Sequence, residues 1–258
     1  MGPLEIPPLP DTAILMVEVG STAHGTGIPG GEDHDELAVV VETPEQLVGL
    51  DERGFVTVMQ RTQPEGERSG PGDIDRTLYS LRRFLRLAAS GNPSILMSFW
   101  APIEHITPVG EGLRDLSDAF IGRHVVPRYR GYMQSQAQRL VGGPGGRGRP
   151  GGGGRAELIE AFGYDTKYAM HAARLGFQCL ELLSTGGLRL PILGPEADWL
   201  RSVRYGEVPF DQWWDRVLAL DAQLASMADD EALPPGPDRG RIERWSVAAH
   251  QAVWASLA

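Results

Sequence analysis

Two apolar, β-branched runs, Ile14-Leu15-Met16-Val17-Glu18-Val19 and Glu36-Leu37-Ala38-Val39-Val40-Val41, flank a glycine-rich connection that closes on Asp33-His34-Asp35. Runs this short and this apolar predict buried strands, and the second reads as the neighbour of the first. The polar residues between them are then pinned to strand ends. Successive side chains alternate across a strand, so Asp33 and Asp35 face one side, about 7 Å apart in Cα, and His34 points to the other.

Two carboxylates on one face suit divalent cations such as Mg²⁺ (or Mn²⁺), which prefer oxygen ligands and retain water and phosphate oxygens. A third carboxylate from a neighbouring strand would complete a two-metal site. Asp75 is the leading choice, and Asp73, of the same strand parity, is the runner-up. An Asp-x-Asp alone is more often a polar strand end. Here Gly20-Ser21 follows the first strand, with a glycine that lets backbone approach a phosphate and a hydroxyl donor beside it. That loop turns the reading toward a metal-bound nucleoside triphosphate. His24 reads as a structural polar contact.

Further along, Phe55 to Arg61 alternates with period two and predicts a strand, residues 63–72 a loop, and Asp73-Ile74-Asp75 the start of another strand. From Leu78 the apolar residues Leu78, Leu81, Phe84, Leu85 and Ala88 recur at helical spacing up to Gly91-Asn92-Pro93. Helices are also predicted over 94–100, 113–140 with Pro127 as a break, 156–183 and 210–258, with Pro-Pro-Gly-Pro at 234–237 separating the last two. The segment 142–154 consists of glycine, proline and arginine, which predicts a flexible surface loop, with a mobile cationic strap over a polyanionic substrate as the alternative. The expected architecture is α+β: a small mixed sheet with helices over 1–105, then a mostly helical region over 106–258.

The chain has 258 residues and a net charge of −10, which argues against a protein that coats nucleic acid non-specifically. The charge is uneven. Residues 121–174 carry nine Arg or Lys against three Asp or Glu, whereas 196–258 carry six against eleven. A basic middle can meet phosphates while an acidic tail holds the total negative. With one cysteine, Cys179, an internal disulfide is excluded. The chain shows neither a secretory leader nor a membrane-length apolar run, and a cytoplasmic location is expected. Lys167 is the single lysine among 24 basic residues. It opens the series Lys167, His171, Arg174, Gln178 at i, i+4, i+7 and i+11, beside an apolar stripe of Tyr168, Ala172, Leu175, Cys179 and Leu182. Arg82, Arg83 and Arg86 lie in a stretch with no acid between Arg76 and Ile103, a patch that suits an RNA backbone.

Gly20-Ser21-x3-Gly25, Asp33-x-Asp35, then Asp75 ahead of Leu81-Arg82-Arg83-Phe84-Leu85-Arg86-Leu87 and Gly91-Asn92-Pro93 resembles the DNA polymerase beta-like nucleotidyltransferases. Within them it looks most like the RNA repair pathway DNA polymerase beta family. The resemblance covers residues 14–103 and, more loosely, 164–183. It implies that Asp33, Asp35 and Asp75 bind the metals, and that Gly20 and Ser21 form the triphosphate loop. Lys167, His171 and Arg174 would then meet the β- and γ-phosphates, as the superfamily's helical domains do. The implied reaction moves NMP from an NTP to a hydroxyl, at an RNA 3′ end such as that of tRNA. The same chemistry on a protein hydroxyl, and a non-catalytic nucleotide-binding regulator, remain open at this point.

Overall fold

The computed structural model describes residues 6–27, 34–50, 56–63, 69–141 and 155–257. They form two compact units. One takes the described residues of Met1–Ala89, Ser94–Phe120 and Pro237–Ala258, the other Ser90–Pro93 and those of Ile121–Gly236.

The first unit is built on a five-stranded mixed sheet. Its strands are β1 (Ala13–Val19), β2 (His34–Val40), β3 (Thr57–Arg61), β4 (Ile74–Ser80) and β5 (Ile103–Ile106), ordered β3-β4-β2-β1-β5. The β2/β4 pair is parallel and the others are antiparallel. The central strands are apolar on both faces because both faces are covered. Leu15, Val17, Leu37 and Val39 are fully or almost fully buried. On the other face Ala13, Ala38, Val40 and Leu78 form a small core closed by Leu9, which precedes β1, and by Met16. Burying such side chains supplies roughly 1.5–3 kcal/mol each.

Around the sheet run a one-turn helix α1 (Gly20–His24), α2 (Pro44–Val48), α3 (Leu81–Ala89), α4 (Pro93–Leu96) and α5 (Pro108–Asp115). α2 starts on a capping box, in which the Thr43 hydroxyl accepts from the Gln46 N–H and the Gln46 side chain accepts from the Thr43 N–H. In α3 Leu81, Phe84, Leu85 and Ala88 are buried while Arg82, Arg83 and Arg86 are exposed. Phe84 meets Phe99 edge-on at 5.5 Å between ring centroids, and Phe99 stacks on Phe120 at 5.1 Å.

Two expected boundaries are corrected. Leu78 is a strand residue, paired with Val58 and Ala38, and the helix begins only at Leu81. An apolar residue at a strand-to-helix junction satisfies either period, and ladder pairing on both sides settles which one wins. Likewise 113–140 is not one helix broken at Pro127. After α5 come 3₁₀ turns at Ser117–Phe120 and Arg123–Val125, and Pro127 lies in the first turn of α6 (Val126–Val141), where a missing N–H costs nothing.

The second unit packs α6, α7 (Ala156–Phe162), α8 (Thr166–Thr185), α9 (Pro195–Arg204) and α10 (Phe210–Ala228). The helix predicted over 156–183 is interrupted, because Gly163 adopts φ +80° and Asp165 recaps the chain by accepting from the N–H groups of Lys167 and Tyr168. Its core joins Tyr129 and Met133 of α6, Ala169, Ala172, Ala173 and Cys179 of α8, and Trp213 and Leu220 of α10, all buried. Arg130 donates two hydrogen bonds of 2.8 Å to Asp221, tying α6 to α10. The final helix, α11 (Arg239–Leu257), packs with the sheet-bearing unit. Among the described residues no helix is long and apolar enough to cross a membrane.

Candidate active site

The parallel β2/β4 ladder sets Asp35 directly opposite Asp75. Parallel strands lie about 4.8 Å apart, so these two side chains emerge side by side from the same face of the sheet. Asp33 lies outside the described residues. His34 points the other way, 3.4 Å from a Glu18 oxygen and 3.2 Å from a Glu36 oxygen. Asp73 precedes β4 and is used structurally: its carboxylate accepts from Thr62 Oγ1 at 3.1 Å and from the Gly70 N–H at 2.9 Å.

Gly20-Ser21 is not an open loop. It starts α1, and Gly25 closes that turn in the left-handed region at φ +67°, donating to the carbonyls of Ser21 and Thr22. Gly20 itself has φ +73°, and a Cβ placed on it would sit 2.1 Å from Asp35 Oδ2. The glycine is therefore required by the carboxylate beside it, a packing reason that reading the residue as a phosphate contact did not anticipate. His24 is buried at the end of α1.

Asp75 carries three neighbours that local sequence did not single out. Arg61 Nε lies 3.0 Å from Oδ1, Gln63 Nε2 donates to the same oxygen at 2.8 Å, and Ser69 Oγ donates to Oδ2 at 2.5 Å. Arg61 pairs with Asp75 in the β3/β4 register, so the contact is set by strand alignment. A period-two pattern locates a strand but not its partner, and only the register would have revealed this group. Among the described residues no set of three or more His, Cys, Asp and Glu side chains gathers as metal ligands. Asp35 and Asp75 present oxygen donors from adjacent strands, a donor chemistry that fits Mg²⁺ or Mn²⁺.

In the second unit α8 brings Lys167, His171 and Arg174 into a cationic cluster. His171 Nδ1 and Arg174 Nη2 are 3.2 Å apart. Burial, then the charges of Arg174, Lys167, Arg155 and Arg204, press the His171 pKa down to about 3, so its imidazole is neutral at physiological pH. Burial also lowers the Arg174 guanidinium to about 10. Arg155 and Arg204 come from the segment before α7 and from the end of α9, and only packing brings them here. Arg155 contacts the Asp165 carboxylate at 3.7 Å, and Arg204 donates to Thr166 Oγ1 at 3.4 Å. Arg139 and Arg155 lie 5.6 and 5.7 Å from the Tyr168 ring centroid, at cation–π distance. Gln178, the fourth position of the polar series, is buried.

The sequence model of the RNA repair pathway DNA polymerase beta family matches residues 11–231. The chain belongs to that family. As a member of the RNA repair pathway DNA polymerase beta family it is a nucleotidyltransferase acting on a nucleotide substrate. The match takes in the sheet with Asp35 and Asp75 and all of α6–α10, and ends before α11. Among solved structures the chain is similar to a nucleotidyltransferase-like protein from Exiguobacterium sibiricum, at 10% identity and a TM-score of 0.29, over 95% of this chain and 69% of that one. No curated protein matches the chain.

Proposed function

We propose that this nucleotidyltransferase moves NMP from a nucleoside triphosphate to a hydroxyl at an RNA 3′ end, with pyrophosphate as the leaving group. The observation that carries the reading is the side-by-side placement of Asp35 and Asp75, with Gly20 shaped around Asp35. Asp35, Asp75 and Asp33 are the residues that would hold Mg²⁺ or Mn²⁺, whose charge would lower the pKa of the attacking hydroxyl and offset that of the triphosphate. The acceptor oxygen forms a bond to the α-phosphorus, and the bond from that phosphorus to the bridging oxygen breaks. Pyrophosphate departs with the electron pair, and Asp75 takes the hydroxyl proton. Ser21 and the α1 backbone meet the triphosphate; Lys167 and Arg174, in the second unit, carry charge that suits phosphate oxygens. His171, neutral, orients the Arg174 guanidinium. The exposed Arg82, Arg83 and Arg86 of α3 contact the acceptor's backbone by charge.

The test is a label-transfer assay with Mg²⁺, total RNA and each of four α-labelled NTPs separately. Label on RNA that is lost in Asp35→Ala supports the proposal. Label on protein alone moves the acceptor to a protein hydroxyl, and transfer that persists in Asp35→Ala removes the carboxylate site.

A further inference from the structure

Asp75 is closely engaged by its neighbours on the sheet face. A carboxylate has about four acceptor positions, and three here are filled: Oδ1 by Arg61 Nε and Gln63 Nε2, Oδ2 by Ser69 Oγ. The three donors differ in kind. Gln63 is buried and Ser69 half-buried, both neutral, and Gln63 Nε2 also lies close to Ser69 Oγ, so they brace one another as well as the carboxylate. Arg61 alone carries charge, stands on the edge strand of the sheet, and is 41% exposed against 15% for Asp75. Its guanidinium, the most exposed of the three donors, has room to leave into solvent.

A cation arriving at Asp35 and Asp75 meets this arrangement. Among the described residues Oδ2 is met by Ser69 Oγ alone, so a cation can approach that oxygen, but the cation is repelled by a guanidinium that sits on Oδ1 of the same carboxylate. We propose that Arg61 is a displaceable counter-ion of Asp75, a positioning residue that holds the carboxylate in place before the metal binds and weakens metal binding until it swings away, with Gln63 and Ser69 as the fixed donors that keep the carboxyl plane oriented. The inference rests on the metal-site reading of Asp35 and Asp75. It adds that β3 regulates the affinity of that site through one side chain.

The probe is Mn²⁺ alone, titrated into the nucleotide-free full-length protein and followed by the electron paramagnetic resonance signal of the free ion. An exposed ion pair is weak, so Arg61→Gln should bind Mn²⁺ roughly two- to fivefold tighter than wild type at low salt. That ratio should shrink as salt is raised to about 0.5 M, where the screening length falls to about 4 Å and the longer guanidinium-to-cation repulsion weakens. Arg61→Lys, which keeps the charge, should stay close to wild type. If Arg61→Gln does not fold, Arg61→Met removes the charge at similar volume and carries the same expectation. Equal or weaker Mn²⁺ binding by the neutral variant, or a gain that salt does not reduce, overturns the counter-ion role. Absence of Mn²⁺ binding by wild type, or wild-type binding by Asp35→Ala, overturns the metal site itself and the inference with it.

Discussion

Replacing Gly20 by alanine tests the site through one methyl group. The added Cβ would stand 2.1 Å from Asp35 Oδ2 and 2.9 Å from its Cγ, where about 3.0 Å is the closest approach real Cβ atoms make, so the carboxylate must retreat by close to 1 Å. Alanine at φ +73° adds left-handed backbone strain of about 1–2 kcal/mol. For a chain of this size each kcal/mol moves Tm by about 2–4 °C, so the strain alone lowers Tm by roughly 2–8 °C. Misplacing a catalytic group by about 1 Å costs on the order of 100-fold in rate. Gly20→Ala should therefore remain folded, lose a few degrees of Tm, and drop nucleotidyl transfer about 100-fold. The decisive assay is a double-mutant cycle read by thermal unfolding. In an Asp35→Ala background the clashing oxygen is gone, so Gly20→Ala should cost only the backbone strain, measurably less than in wild type. Equal destabilisation in both backgrounds, or wild-type transfer by Gly20→Ala, would refute the argument that Asp35 dictates the glycine.

Other consequences are equally open to measurement. Lys167→Ala should raise the apparent KM for NTP about tenfold with a smaller change in kcat, because a charge-assisted contact to phosphate is lost; an unchanged KM takes Lys167 out of the site. With its pKa near 3, His171 should show no charge change between pH 5 and 8 by NMR titration, and His171→Asn should leave the shape of the pH–rate profile alone. His250 of α11 is buried against Glu42, Nε2 to Oε2 at 3.3 Å, and that hydrogen bond raises its pKa despite burial and the nearby Arg82 charge. The stabilisation is thus complete below the unfolded value near 6.5 and fades as pH rises through the higher folded value. Burial pulls the Glu42 pKa upward, but hydrogen bonds led by that from His250 outweigh it and leave it lowered, so Glu42 stabilises above about 4.5 and its contribution fades as pH falls through the folded value. The Tm advantage of wild type over His250→Gln should be largest near pH 5–6 and shrink by pH 9; a constant difference would dissociate the pair from stability.

The sheet's central strands were legible because their apolar content is local: Ile14 to Val19 and Glu36 to Val41 cannot be exposed at this density. The alternation that puts His34 on the face opposite Asp35 needs only the two-residue repeat of a strand. The apolar positions of α8 followed from helical spacing in the same way, and Ala172, Leu175, Cys179 and Leu182 are buried. β5 escaped notice, since Ile103-Glu104-His105-Ile106 is too short to show a period and becomes a strand only through its pairing with β1.

Local sequence was enough to pick out the residue types in each unit that suit phosphate or metal: acids alternating on strands and a glycine and a serine after β1 in the first, a cationic series on α8 in the second. Packing and register set their neighbours. Strand register placed Arg61 on Asp75, the segment ahead of β4 set Ser69 against the same carboxylate, and helix packing added Arg155 and Arg204 to the α8 cluster. These contacts join residues from different elements, and no local period encodes such a distance. The same holds for α11, whose His250 reaches Glu42 across 208 positions of sequence. Periodicity reports which face a side chain occupies, whereas the partner on that face is chosen by how the elements pack.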